Sequence, residues 1–173
     1  MKTLTRKQYL YVIGILFVVI VGAFLLSYIS NTRDHKKDTE SVDMKGKYSE
    51  YLSYNRGQVI FGSEIIPVFI ADTNALRTRG LSGKKTLPQE YGMLFIFSTE
   101  RQYSFWMKDM NFAIDMVWIN GGGEVVHVES DVAPETYPDM FVSTDPALYV
   151  LEVNAGLARD LGLTAGAKVE IEL

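Results

Sequence analysis

Residues 92–120 read GMLFIFSTERQYSFWMKDMNFAIDMVWIN, and this stretch decides the fold. It holds three strongly apolar runs, 92–97, 104–112 and 113–120, separated by little more than one short polar break. Both tryptophans, Trp106 and Trp118, lie inside it. Apolar density of this kind belongs to a core, and a charge set within core sequence needs a partner or a task. Lys108, Asp109 and Asp115 are such charges. Length and aromatic content predict strands over 92–97, 103–108 and 113–120.

Working toward the N-terminus, 58–61 and 64–70 are β-prone runs joined by Gly62-Ser63, the pattern of a hairpin. Pro67 in the second arm predicts an edge strand or a bulge. Asp72-Thr73-Asn74 is a helix cap for a short helix over 75–79, ended by Gly80. Residues 83–91 (GKKTLPQEY) read as a loop. Toward the C-terminus, Gly121-Gly122-Gly123 joins 113–120 to 124–129 as another hairpin. Residues 132–146 hold three prolines and form a long irregular loop. A strand over 148–153, a short helix over 155–161 closed by Gly162 and a last strand over 168–173 complete the chain. No strand–long helix–strand rhythm appears. The prediction is an α+β, β-rich fold: a compact, curved, mostly antiparallel sheet, barrel-like, with two short helices.

Residues 1–8 are a short basic tail, and 9–29 (YLYVIGILFVVIVGAFLLSYI) carry no charge. Twenty-one helical residues reach roughly 31 Å, the thickness of a bilayer's hydrocarbon core. Tyr9, Tyr11 and Tyr28 sit near the ends, where amphipathic rings favour the interface. A cleaved signal has a shorter apolar region and small residues at the cut, which Ser27-Tyr28-Ile29 does not offer. The segment is therefore expected to be a retained single-pass anchor. Bases flank it on both sides. A short basic tail before a first helix places the following domain outside the cytoplasm. Residues 30–50, with ten charged side chains of mixed sign and His35, are expected to form a solvated tether to one domain over 51–173.

The 173 residues include no cysteine, which excludes disulfides, thiolate metal sites and cysteine nucleophiles. From Tyr51 onward, 9 Lys/Arg face 16 Asp/Glu, a balance of −7. That argues against a nucleic-acid partner, although Arg77, Arg79, Lys84 and Lys85 form a local basic cluster. No Gly-x-Ser-x-Gly elbow surrounds Ser82, and the glycines at 121–123 make no phosphate loop.

Four ordered segments carry a family likeness: RTRGLSGKKTLPQEYGMLFIF, SFWMKDM, AIDMVWI and YVLEVNAG. Over roughly 65–173 the chain resembles the domain of unknown function 192 family. The resemblance implies a small β-rich domain, often behind a signal or anchor segment, with no established activity. Met110 stands where that family usually has threonine, Ala113 where it has proline, and Lys84 where arginine is common.

Strand alternation sorts the embedded charges. Trp106 and Lys108 are expected on one face of their strand; Asp115 shares a face with Ala113, Val117 and Ile119; Glu152 shares one with Val150 and Asn154. One expectation is a partly buried salt bridge that fixes register, with Lys108 and Asp115 as neighbours across the turn 109–112, or side chains on a solvated sheet face. The other is a polar cleft of Trp106, Lys108, Asp115, Glu152 and Asn154, with Arg79 nearby, able to hold a small polar ligand or sugar. Asp115 and Glu152 are the catalytic candidates, as an acid and base pair. Met107 and Met110, with Met93 and Met116 close in sequence, are candidate thioether ligands for Cu(I). His127 is expected to be a satisfied strand residue, and Arg79, Lys84 and Lys85 a solvated loop rather than the anion site that their charges would allow. The leading expectation is a membrane-anchored, non-catalytic module outside the cytoplasm. Its partners would be the membrane through 9–29 and an unknown protein, small molecule or glycan, with no cofactor implied. The alternatives are a carboxylate-based hydrolase of envelope polysaccharide and a Cu(I)-binding protein.

Overall fold

A computed structural model describes residues 48–173. The expected anchor at 9–29 and nearly all of the tether lie outside them. Among the described residues, no helix is long and apolar enough to cross a membrane.

The hairpin at the start of the domain forms as the sequence predicts. Strand β1 (Asn55–Phe61) pairs antiparallel with β2 (Glu64–Ala71) across the Gly62-Ser63 turn, where Gly62 has φ +61°. The turn needs that left-handed conformation, which glycine adopts without a Cβ clash. Helix α1 (Asn74–Arg79) follows; Thr73 caps it by accepting the Leu76 N–H at 3.2 Å, and Gly80 closes it. The chain then returns as β3 (Gly92–Arg101), parallel to β2, so β2–α1–β3 is a crossover. The sheet is therefore mixed, although its other five pairings are antiparallel, as expected. Pro67 sits in an interior strand rather than an edge. Parallel pairing to β3 starts only at Val68, so Pro67 has β1 as its only registered neighbour and its missing N–H costs little.

The remaining strands are β4 (Ser104–Phe105), β5 (Ile114–Ile119), β6 (Val125–Val132), β7 (Phe141–Val142), β8 (Ala147–Asn154) and β9 (Glu170–Glu172), with helix α2 at Leu157–Leu161. Seven strands form one sheet in the order β6-β5-β8-β3-β2-β1-β9, and β4 pairs with β7 in a separate two-stranded piece. The sheet is not a closed barrel. Its edges meet only where residues 166–169 bond to 123–125, and β9 is too short to complete a wall.

Register sorts the side chains into two layers, because neighbours along a strand point to opposite faces. Val68, Leu94, Val117, Leu151 and Val153 lie on one face and pack with Ala158 and Leu163 of the α2 region. The opposite face carries the row Phe69–Met93–Glu152–Met116, whose members are direct cross-strand partners. A second row on that face runs Phe95–Val150–Trp118–His127. Phe69, Met93, Met116 and Trp118 are fully buried. Glu152 thus stands at the centre of the sheet, between two methionines.

Candidate functional site

Glu152 is the floor of the site. Its neighbours in register are Met93 and Met116, so the carboxyl rises into hydrocarbon. It is 4% exposed, and its Oε2 is sealed from solvent with no hydrogen-bond partner. Burial pushes its pKa from 4.5 up to about 8, because the charged form has lost its water. A neutral carboxyl is therefore a proton donor at this point at pH 7.

Segments 77–82 and 103–110 cross this face and leave a hollow of about 370 Å³ between them. Phe95, Phe97, Tyr103 and Trp106 supply aromatic wall, Met110 and Met140 soft apolar wall, and Glu152 reaches the interior from below. The rings are packed by one another: Phe97 stacks on Tyr103 at 3.5 Å between centroids, and Phe105 meets Phe95 edge-on at 4.9 Å. Trp106 is 48% exposed and leans on Tyr137 at 5.8 Å. Arg77 and Arg79 complete the lining. Arg77 is fixed: its guanidinium donates to the Asp72 and Ile96 carbonyls and to Asn74 Oδ1, and it lies 5.3 Å from the Phe97 ring. All those partners are neutral. Arg79 is exposed, and its guanidinium has no hydrogen bond or ion pair among the described residues.

Tyr54 stands behind the Arg79 side of this hollow. Its hydroxyl donates to the Gly80 carbonyl at 3.0 Å, and burial raises its pKa. Lys84 is buried rather than solvated as the loop sequence suggests. Its ammonium donates to the Glu50 carbonyl at 2.6 Å and lies over the Tyr51 and Tyr54 rings at 4.9 and 5.4 Å. Desolvation lowers its pKa.

The cleft expected from the sequence is only partly assembled. Trp106, Glu152 and Arg79 meet at the hollow. Asp115 does not join them. It pairs in register with Val153, one residue from Glu152, and so faces the other side of the sheet. There it is fully buried; Oδ1 accepts the Asp131 N–H at 2.8 Å and Oδ2 the Ala158 N–H at 2.9 Å. Asp115 ties β5 to β6 and to the start of α2, and no acid–base pair with Glu152 forms. Asn154 is also structural, donating to the Leu87 and Pro88 carbonyls at 3.3 and 3.0 Å to hold the 84–91 loop.

Lys108 is neither embedded nor bridged to Asp115. The strand expected over 103–108 ends at Phe105, and Asp109 takes φ +56° in a tight turn. The loop before it anchors that turn: Ser82 Oγ donates to the Lys108 carbonyl and the Gly83 N–H to the Asp109 carbonyl. Lys108 then pairs with its own neighbour Asp109 at 2.6 Å, in solvent. Of the methionines, Met107 is sealed in the core while Met110 lines the hollow. Among the described residues no cluster of His, Asp and Glu could hold a metal ion. His127 packs on Trp118 at 5.3 Å and meets Glu129 at 3.0 Å.

The comparisons with known proteins agree with this architecture. The model of the domain of unknown function 192 family, described as an uncharacterized ACR, matches residues 58–171. The chain belongs to that family. A protein of Sinorhizobium meliloti 1021, carried under the provisional label of transcription regulator, is 30% identical with a TM-score of 0.64. The match covers 69% of this chain and 96% of that one. A protein of unknown function from Novosphingobium aromaticivorans DSM 12444 is 28% identical with a TM-score of 0.61, over 68% of this chain and 84% of the other. No curated protein matches the chain.

Arg77 and the wall of Phe95, Phe97 and Tyr103 are site residues that the sequence reading assigned to other roles. A signal was present. Phe95 and Phe97 share the alternation of Met93, and that face is the one Glu152 occupies in register.

Proposed function

We propose that this member of the domain of unknown function 192 family binds a small ligand in the hollow over Glu152. We place the domain outside the cytoplasm, held at a membrane by residues 9–29. One observation supports the binding role: a buried carboxyl with an unpartnered oxygen at the floor of an open, aromatic-walled hollow. An orphaned buried polar atom is costly, and a ligand group that meets it removes the cost. The size of the hollow and its few polar groups among rings are those of a small-molecule site. The membrane placement is supported by the uncharged length of 9–29 and the basic residues before it.

The Asp115–Glu152 hydrolase loses its second carboxylate, so binding is the better reading. The label of the Sinorhizobium relative is a poor match for a domain with a charge balance of −7.

Nuclear magnetic resonance with labelled tryptophan tests the binding role. Ring-bearing fragments should shift the indole N–H signal of Trp106, at the hollow, more than that of the buried Trp118, whose N–H is bonded to the Tyr103 carbonyl. Fragments that bind without moving Trp106, or that bind Glu152→Leu as tightly as wild type, would remove this reading.

A further inference from the structure

We infer that the hollow is built for a small flat anion, an aromatic or heteroaromatic carboxylate, with its charge at Arg79 and a polar atom at its far end on Glu152. The inference rests on the binding role proposed above and names the class of ligand.

Charge decides between the ligand classes that an aromatic wall accepts. Such a wall takes neutral rings, ring anions and organic cations alike. Two guanidinium groups line this hollow, and among the described residues no carboxylate forms an ion pair with either. The described ion pairs of the domain use Lys108, His127, Arg159 and Lys168 instead. Arg77 is satisfied by carbonyl oxygens, so its charge remains while its position is locked. Arg79 has all its donors free. In a domain with 16 acids and 9 bases, two uncompensated arginines at one hollow set a local positive potential. A cationic ligand meets that potential and gains a carboxylate only by stripping Glu152 of its proton. An anion meets it and needs no such step.

Depth orders the contacts. Arg79 is exposed and marks the rim, whereas Glu152 is buried and marks the floor. A planar guanidinium grips a carboxylate with two parallel hydrogen bonds. A ligand entering between the rings therefore leaves its carboxylate outside at Arg79. Its far end, a hydroxyl or ring nitrogen, reaches the sealed carboxyl. Glu152 in its neutral form offers that end a proton without adding negative charge against the anion.

Calorimetric titration of the full-length protein with 4-hydroxybenzoate, 4-hydroxybenzyl alcohol and tyramine tests this, since the three share a ring and differ in charge. The anion should bind about tenfold or more tightly than either analogue, the value of one charge-assisted pair. Arg79→Gln should bring the anion down to the level of the alcohol. Equal affinity for all three, or preference for the amine, would overturn the anion assignment and leave the binding role intact. The same holds if none of the three binds while other ring fragments move the Trp106 signal. If no fragment of any charge moves Trp106, both fall together.

Discussion

Replacing Glu152 by glutamine should make the protein more stable at pH 8 and leave it nearly unchanged at pH 5. In the unfolded chain the carboxyl loses its proton above about 4.5; in the folded chain it keeps the proton until about 8. Between those values the folded state binds one more proton than the unfolded state, so folding stability falls as pH rises. Each pH unit in that window is worth about 1.4 kcal/mol. The whole window, from 4.5 to about 8, sets a ceiling of about 4–5 kcal/mol. Near pH 5 the group is neutral in the folded state and almost the same shape as an amide, so the two proteins should agree to within about 1 kcal/mol. Urea unfolding of wild type and Glu152→Gln at pH 5, 6, 7 and 8 reads the effect directly. The other titrating groups are common to both proteins, so the difference isolates Glu152 apart from its coupling to Tyr54. The variant should gain about 1 kcal/mol on wild type per pH unit. A difference that stays flat from pH 5 to 8, or that turns in favour of wild type, would refute the claim that a desolvated carboxyl lies at the floor of the hollow.

Three further outcomes follow from the packing. Asp115→Ala strands the Asp131 and Ala158 N–H groups in the interior and should cost about 2–4 kcal/mol by urea unfolding; a cost below about 1 kcal/mol would show that Asp115 is not the tie between β5, β6 and α2. Trp118→Ala should cost about 3–5 kcal/mol, since the ring is fully buried, while Trp106→Ala should cost under about 1 kcal/mol and weaken fragment binding; comparable losses from the two would contradict the separation of core from site. Gly123→Ala places a Cβ against the Val169 carbonyl at φ +74° and should cost about 1–3 kcal/mol, with faster hydrogen exchange at the Val125 and Val169 amides that join the sheet's two edges.

What the sequence could and could not reveal follows from the range of the interactions involved. Hairpin turns, the Thr73 cap and the alternation along 147–154 are local, and they are legible. The parallel pairing of β2 with β3 is not, because the intervening helix has only six residues and gives no strong crossover signal. The site divides along the same line. Alternation correctly separates the two faces of each strand, yet it cannot say which face of β5 meets which face of β8. That depends on register, and register sets Asp115 opposite Val153 rather than Glu152. The one-residue offset turns an apparent carboxylate pair into two unrelated groups. One is satisfied by backbone N–H groups beneath α2, and the other is left unsatisfied over the hollow. Lys108 fails for a different reason: the strand that alternation assumes stops at Phe105, and Lys108 lies beyond it in a turn where Asp109 takes φ +56°. The contrast between the two acids also carries the functional argument. A buried carboxylate that accepts two N–H bonds is explained by the fold, so it asks for nothing further. The Glu152 carboxyl has no such explanation within the described residues, and the exposed Arg79 guanidinium stands at the rim of the same hollow. The ligand proposed above is the group that would meet both.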